Sequence, residues 1–249
     1  IINEKKNKVT HLKEDLMRSF SLSDNSIYSI YRDHEGGIWI GTMFGGANYL
    51  PKRELTFDKY VPGSDSHSLN TKRIRGLAED NYGCIWIGTE DNGVNVLDPK
   101  TGEVHQIHDH VPGRLITLCV RHYNDHVYVG LLKQGMNDIS LPGEHLRYVS
   151  DAELGIEEGS VYSFLIDSKG RRWIGPGWGL YMSQPNEKKY HKINEVGYCW
   201  IYDIMEDKDG LIWIATMGNG IWKCNPETGT YHNYYFNEKK SSNSVSSIM

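Results

Sequence analysis

No stretch of this 249-residue sequence holds the roughly 20 consecutive apolar residues that a membrane-spanning helix requires, and no basic segment followed by an apolar run opens it as a secretion signal would. Charge of one sign is also scarce. The 27 Lys and Arg stand against 32 Asp and Glu, mixed along the chain, which leaves −5 and removes a nucleic-acid footprint. Only four cysteines occur, Cys84, Cys119, Cys199 and Cys224, and none has C-x-x-C spacing. They sit in strand-like runs and read as unpaired thiols packed as small apolar residues. A sustained helical period is missing as well: apolar residues do not recur at 3.6 for longer than a turn or two.

What the sequence has is glycine, 26 of them, gathered into a phrase that repeats. The stretch "DHEGGIWIGTMFGG" at 33–46 resembles a phosphate-binding loop, but no helical pattern follows it, and its order D-x-x-G-x-x-W returns elsewhere. The copies are Asp33/Gly36/Trp39, Asp80/Gly83/Trp86, Asp167/Gly170/Trp173 and Asp207/Gly210/Trp213. A degraded copy, "RHYNDHVYVG", has Tyr128 in the tryptophan's place. The aromatic positions step by 47, 42, 45 and 40 residues, a period that marks a repeat architecture. A second glycine follows seven residues after the aromatic at Gly46, Gly93, Gly135 and Gly220, and six after it at Gly179.

Each unit reads as four strands. In the second, "RIRGLAED", "CIWIGT", "VNVLDP" and "EVHQIHD" are short, rich in Val, Ile, Leu or Trp, and separated by turn clusters. In D-x-x-G the aspartate is expected to accept from backbone N–H groups two or three residues on, while the glycine takes the positive φ of a tight turn. In I-W-I-G-T both strand faces are apolar, so both must be covered. Four-stranded sheets repeated with short loops and buried on both sides predict an all-β fold, a β-propeller with the four tryptophans in its core. Gly41, Gly88, Gly130 and Gly175, with Ala215 in the fifth unit, would keep each blade thin where neighbours approach.

The ends lie on the interior of the repeat. Residues 1–12 align without a gap on 96–107, and 243–249 on 25–31. The expectation is one propeller segment over 1–249: the end of a blade at 1–20, blades at 21–62, 63–110, 111–152, 153–195 and 196–238, and an inner strand at 239–249. Exposed edges at such cuts suit a piece of a longer protein, and the expected parent is a seven-bladed ring.

The phrases "DHEGGIWIGTMFGG", "DNYGCIWIGTEDNG" and "DKDGLIWIATMGNG" resemble the two-component regulator propeller repeat of Bacteroides-type hybrid two-component systems. That resemblance implies an extracytoplasmic, periplasmic sensor region. In that family two propellers precede a further β-domain, a membrane helix, a histidine kinase and a response regulator with a DNA-binding module, and they sense oligosaccharides to switch on glycan-utilisation genes. It implies an oligosaccharide partner, no nucleic acid at this segment, and membrane attachment and homodimerisation through the parent chain only. No kinase, receiver or DNA-binding residues lie in these positions, so the segment itself is not expected to be an enzyme or to carry a cofactor or metal.

With strands A to D running outward from the axis, the D–A and B–C loops share one face around the channel mouth. The D–A side offers Asn25, Asn70, Lys72, Arg73, Arg75 and Arg114, followed by Ser160, Tyr162 and Trp200. The B–C side offers Met43, Phe44, Glu90, Asp91 and Asn92, followed by Lys133, Gln134, Trp178 and Asn219. Of these, Trp178, Arg73, Arg75, Lys72, Asn70, Tyr162, Trp200, Phe44, Asn92 and Lys133 form the expected ligand surface, because a sugar site needs flat rings and planar polar groups.

Trp178 stands out, since "GPGWG" is one residue shorter than the other B–C loops, and a repeat departs from its own rule where function is expected. It either meets a ligand or plugs the short loop against the next blade. Arg73, Arg75 and Lys72 fit either an acidic oligosaccharide, held by the bidentate guanidinium fork, or scattered surface ion pairs. In "HQIHDH", His105, His108, Asp109 and His110 crowd together, but strand alternation divides His105 from His108 and argues against a metal site. Glu90 and Asp91 lack an opposed carboxylate and read as solvated. Three classes of function follow: an oligosaccharide sensor, a non-catalytic interaction or dimerisation scaffold, and a propeller lyase or glycosidase, for which no nucleophile motif stands out.

Overall fold

The computed structural model describes residues 2–3, 8–9, 11–14, 21–51, 59–107, 116–235 and 243–248. The chain divides into two compact units, 1–59 and 60–249. The first contains a hairpin of β1 (Ile2–Asn3) and β2 (Lys8–Val9), and a three-stranded antiparallel sheet of β3 (Ile27–Arg32), β4 (Ile38–Thr42) and β5 (Ala47–Leu50). A fourth strand expected for that sheet falls on 52–58, outside the described residues.

The second unit contains four sheets, each an antiparallel meander in chain order. They are β6 (Ile74–Glu79), β7 (Ile85–Thr89), β8 (Val94–Leu97) and β9 (Val104–Ile107); then β10 (Thr117–Tyr123), β11 (His126–Leu131), β12 (Met136–Ser140) and β13 (His145–Val149). A four-residue helix, α1 (Asp151–Leu154), leads into β14 (Val161–Ile166), β15 (Arg172–Pro176), β16 (Leu180–Ser183) and β17 (His191–Ile193). The last sheet is β18 (Ile201–Glu206), β19 (Ile212–Thr216), β20 (Ile221–Asn225) and β21 (Thr230–Tyr234).

The first strands of successive sheets, β6, β10, β14 and β18, lie against one another, and β7, β11 and β15 each lie against the first strand of the sheet that follows. First strands therefore form the inner ring and each sheet buries a face on the next, the arrangement of a partial β-propeller. Residues 243–248 run beside β19 without forming a strand: Val245 N–H donates to Thr216 O at 3.0 Å and Gly220 N–H to Asn243 O at 2.8 Å.

The repeated aspartate does more than close a turn. Asp80 accepts from the N–H of Tyr82 at 2.8 Å and of Cys84 at 3.0 Å through Oδ1, and from Trp86 Nε1 at 2.8 Å through Oδ2. Asp33, Asp167 and Asp207 repeat the pattern with Trp39, Trp173 and Trp213 at 3.0, 3.0 and 2.7 Å. The backbone donors lie two and four residues on, where the sequence led us to expect two or three. The third residue is the glycine, and its N–H takes a different acceptor, the backbone carbonyl of the motif aspartate. Gly36, Gly83, Gly170 and Gly210 donate to Asp33 O, Asp80 O, Asp167 O and Asp207 O at 3.1, 3.1, 2.8 and 2.9 Å.

These glycines hold φ at 89°, 83°, 78° and 77°, a left-handed conformation that turns the fourth amide toward the carboxylate. They are half-buried turn residues, and the motif's packing comes from its indole instead. Each motif thus carries its own partner for the indole, satisfying a polar atom that burial would otherwise penalise. In the degraded unit a two-residue hairpin, Asn124–Asp125 with Asn124 at φ 51°, replaces the five-residue loop, and Tyr128 packs on Phe164 at 4.8 Å.

The expectation that all four tryptophans are core requires correction. Trp86 and Trp173 are buried, but Trp213 is half-buried under Tyr234 and Lys223, and Trp39 is 44% exposed. Within its own unit Trp39 meets Tyr49 at 4.7 Å, and one tilted phenol ring leaves much of an indole open. The glycines after the tryptophan do mark close approach. A Cβ at Gly130 would run into Val161 O, and one at Gly175 into Ile201 and Ser163 Oγ. All four cysteines are free, Cys84 half-buried and the others buried; burial raises the Cys119 thiol to about 11.

A candidate ligand platform at the strand-entry face

The inner strands share one irregularity, and it positions the site. Register shifts between Ile74 and Gly76, Thr117 and Cys119, Val161 and Ser163, and Ile201 and Asp203 leave Arg75, Leu118, Tyr162 and Tyr202 unpaired at the start of their strands. A bulge at this place re-aims one side chain per sheet. Tyr162 shows the convergence electrostatically: its hydroxyl pKa is raised, first by burial and then by Glu158 and Tyr202, with Arg75 opposing.

Around Tyr162 the structure assembles a row of aromatic rings. Trp200 stacks on Tyr162 at 5.7 Å and 18°, Trp178 meets Trp200 edge-on at 5.8 Å and 61°, and Tyr198 stacks on Trp178 at 4.7 Å and 7°. Trp178 is 42% and Tyr198 67% exposed. The short loop 177–179 accounts for this placement. In the sheets of Thr89 and Thr216 a threonine hydroxyl donates across a four-residue loop, to Gly93 O at 2.8 Å and Gly220 O at 2.7 Å. Pro176 holds the equivalent position and lacks that hydroxyl. Instead Gly179 N–H donates to Cys199 O at 2.8 Å, tying the loop to the segment that carries Tyr198 and Trp200.

Polar groups flank the rings. The Glu158 carboxylate lies against Gly177 and accepts from Ser160 Oγ at 2.9 Å through Oε1. Ser160 Oγ in turn accepts from Lys133 N–H at 3.1 Å, where Lys133 holds a left-handed φ of 57°. Glu158 Oε2, Gln134 Oε1 and Trp200 Nε1 are closed off from solvent without a hydrogen-bond partner. Lys192 Nζ sits 5.4 Å from the Tyr198 ring centre and 3.2 Å from Glu157 Oε2, and that hydrogen bond holds its pKa above the ordinary lysine value.

Sequence reasoning placed Trp178, Tyr162 and Trp200 on this face, and the structure brings them together. It missed Tyr198 and Glu158. The signal for Tyr198 was the alternation Tyr198, Trp200, Tyr202 entering an inner strand. The D-x-x-G residues take no part in the platform. Gly83, Gly170 and Gly210 sit in the turns that join first strands to second, at the end of those strands away from the bulges, and Gly36 does the same in the first unit.

Other expected members have different employment. Arg73 NH1 lies 3.7 Å from Asp91 Oδ1, and Arg75 Nε 3.2 Å from Glu90 Oε2, so these carboxylates are ion-paired where solvation was expected. Asn70 clamps its own blade: Nδ2 donates to Asn92 O at 2.9 Å, and Oδ1 accepts from Asn95 Nδ2 at 2.9 Å. Asn92 belongs to that same clamp, and Lys72 is exposed. Phe44, 83% exposed, belongs to the first unit. Arg114, His108, Asp109 and His110 lie outside the described residues; His105 pairs with Glu144 at 2.8 Å. Among the described residues no group of three or more His, Cys, Asp and Glu is placed to hold a metal, and no helix is long and apolar enough to cross a membrane.

Comparison with known proteins agrees first on the class, a β-propeller. The profile of the two-component regulator propeller family matches residues 21–44, 68–91 and 196–218. The fold is similar to the extracellular domain of a hybrid two-component system from Bacteroides thetaiotaomicron, with a TM-score of 0.63, 22% identity, and coverage of 96% of this chain and 32% of that one. A second such domain from the same organism gives 0.61, 17%, 95% and 40%. Virginiamycin B lyase from Staphylococcus aureus gives 0.54, 14%, 86% and 71%. This chain therefore spans 32% and 40% of the lengths of these two extracellular domains. A search of curated proteins finds no match. Three segments of this chain thus match the two-component regulator propeller model, on a partial propeller fold.

Proposed function

We propose that this chain is part of the extracytoplasmic, periplasmic sensor region of a hybrid two-component system, and that it binds an oligosaccharide whose arrival is passed to a kinase elsewhere in the parent protein. The observation that carries the reading is the ring row Tyr162, Trp200, Trp178 and Tyr198, two members of which are open to solvent on the face where inner-strand bulges converge. Flat exposed rings stack on the C–H faces of sugars, and the polar atoms beside them suit hydroxyls. The segment acts by binding, without catalysis of its own, and regulation of glycan-utilisation genes is the output this reading assigns to the parent. The repeats that match the regulator family and the likeness to extracellular domains of hybrid two-component systems support it.

The test follows tryptophan fluorescence while size-fractionated neutral and acidic oligosaccharides are added. A saturable change is expected for at least one fraction, lost in Trp178→Ala and kept in Trp178→Phe, with the circular dichroism spectrum unchanged. Emission that responds to no fraction, or equally in Trp178→Ala, contradicts the reading. A second reading, an interaction scaffold, is favoured by β3, where Tyr28 is 73% and Ile30 and Tyr31 are each 67% exposed. Concentration-dependent self-association abolished by Ile30→Asp would support it.

A further inference from the structure

We infer that the platform selects an uncharged, hydroxyl-bearing pyranose oligosaccharide and discriminates against uronic-acid and sulfated chains, an inference that rests on the sugar-binding reading above and narrows it. Three polar atoms beside the rings are left without partners. Two of the three, Glu158 Oε2 and Gln134 Oε1, are acceptors, and the third, Trp200 Nε1, is a donor. A buried polar group without a partner destabilises the empty site, so a ligand that supplies the missing half of each bond gains most. Hydroxyls donate and accept, and so answer all three. Ionised carboxylate and sulfate groups only accept, so wherever one replaces a hydroxyl opposite Glu158 or Gln134 that acceptor stays unanswered. Glu158 and Gln134 are half-buried, and the inference requires that a turn about their side-chain torsions bring these oxygens to a molecule lying on the rings.

Charge points the same way. An acidic sugar is recognised best by a guanidinium fork. Among the described residues the arginines of this face, Arg73 and Arg75, are engaged by Asp91 and Glu90, and Lys192 beside Tyr198 by Glu157. An anion at the rings would also meet the Glu158 carboxylate, whose charge acts on the Tyr162 hydroxyl, and like charges at short range repel. Lys72 and Lys133 contribute lone ammoniums, which act as point charges and lack the fork. The exposed rings supply affinity that is indifferent to salt, whereas capture of an anion weakens as ions screen it.

The experiment is calorimetry on the intact chain with four hexasaccharides: malto-hexaose and cello-hexaose as neutral probes, hexagalacturonate as the acidic probe, and the glucosamine hexamer as the cationic one. At least one neutral probe is expected to bind, with a dissociation constant unchanged between about 50 mM and about 500 mM salt. It is expected to weaken about tenfold or more in Trp178→Ala and in Tyr198→Ala. Glu158→Gln adds a donor where the ligand should donate, and is expected to weaken neutral binding while Trp178→Phe preserves it. Tighter binding of the galacturonate or glucosamine hexamer, lost in Trp178→Ala, overturns the selectivity and leaves the sugar platform standing. Neutral binding unaffected by Trp178→Ala and Tyr198→Ala, or silence across all four probes, overturns the selectivity and the platform together.

Discussion

At the scale of the residue, the motif aspartate organises each of the four units that carry it. One carboxylate holds a turn through two backbone amides and an indole through its N–H, so its loss strands three donors at once. Asp80→Ala is expected to destabilise the chain by about 3 kcal/mol, read from urea unfolding, because Trp86 is fully buried and its Nε1 would have no partner. A loss under about 0.5 kcal/mol would contradict that role.

Titration gives a second check. The hydrogen bond from Trp213, followed by that from the Leu211 N–H, holds the Asp207 carboxyl below its ordinary value of 3.8. The unfolded chain then takes up this proton at higher pH than the folded chain does. The stabilisation is therefore complete above the ordinary value and is lost as pH falls through the depressed one. Asp207→Asn is expected to flatten the fall in melting temperature below pH 3.8. An unchanged acid limb in that variant would remove the assignment.

At the scale of the element, the inner-strand bulge and the thin second strand decide what reaches the mouth and how closely sheets pack. Gly175 faces Ile201 of the next inner strand, and a Cβ there meets Ile201 and Ser163 Oγ. Gly175→Ala is expected to cost about 1–3 kcal/mol by overpacking, measured by denaturant unfolding. A neutral or stabilising result would mean that the sheets do not approach as described.

The strands were legible because I-W-I-G-T and the turn clusters repeat with a nearly fixed step. The short loop at Trp178 was legible as a departure from that step. The bulges were not, since an unpaired residue leaves no mark in hydrophobic alternation, so nothing in the sequence marks Tyr202 as the residue at one of them. The pairing of Arg73 with Asp91 and of Arg75 with Glu90 was hidden for a related reason. It depends on the register that sets Ile74 opposite Thr89, which only the fold fixes.

At the scale of the whole molecule, radial packing makes one face a meeting place for loops distant in sequence. Arg121 and Asp203, on inner strands two sheets apart, form an ion pair at 2.6 Å, and Asp203 Oδ2 also accepts from Ser247 Oγ at 3.1 Å. The inner ring is thus tied across its middle, and the aromatic row stands at its entry face. Repetition in the sequence made the propeller legible, whereas side chains that converge from three loops have no common signature along the chain. The sensor role follows from that geometry only if sugar rings lie on these side chains.

Saturation-transfer NMR with a bound neutral oligosaccharide tests this most directly. Irradiating the protein's aromatic protons should mark the C–H protons on one face of a sugar ring most strongly, and the effect should vanish in Trp178→Ala at unchanged melting temperature. Equal marking of all sugar protons, or full transfer in both Trp178→Ala and Tyr198→Ala, would contradict the account.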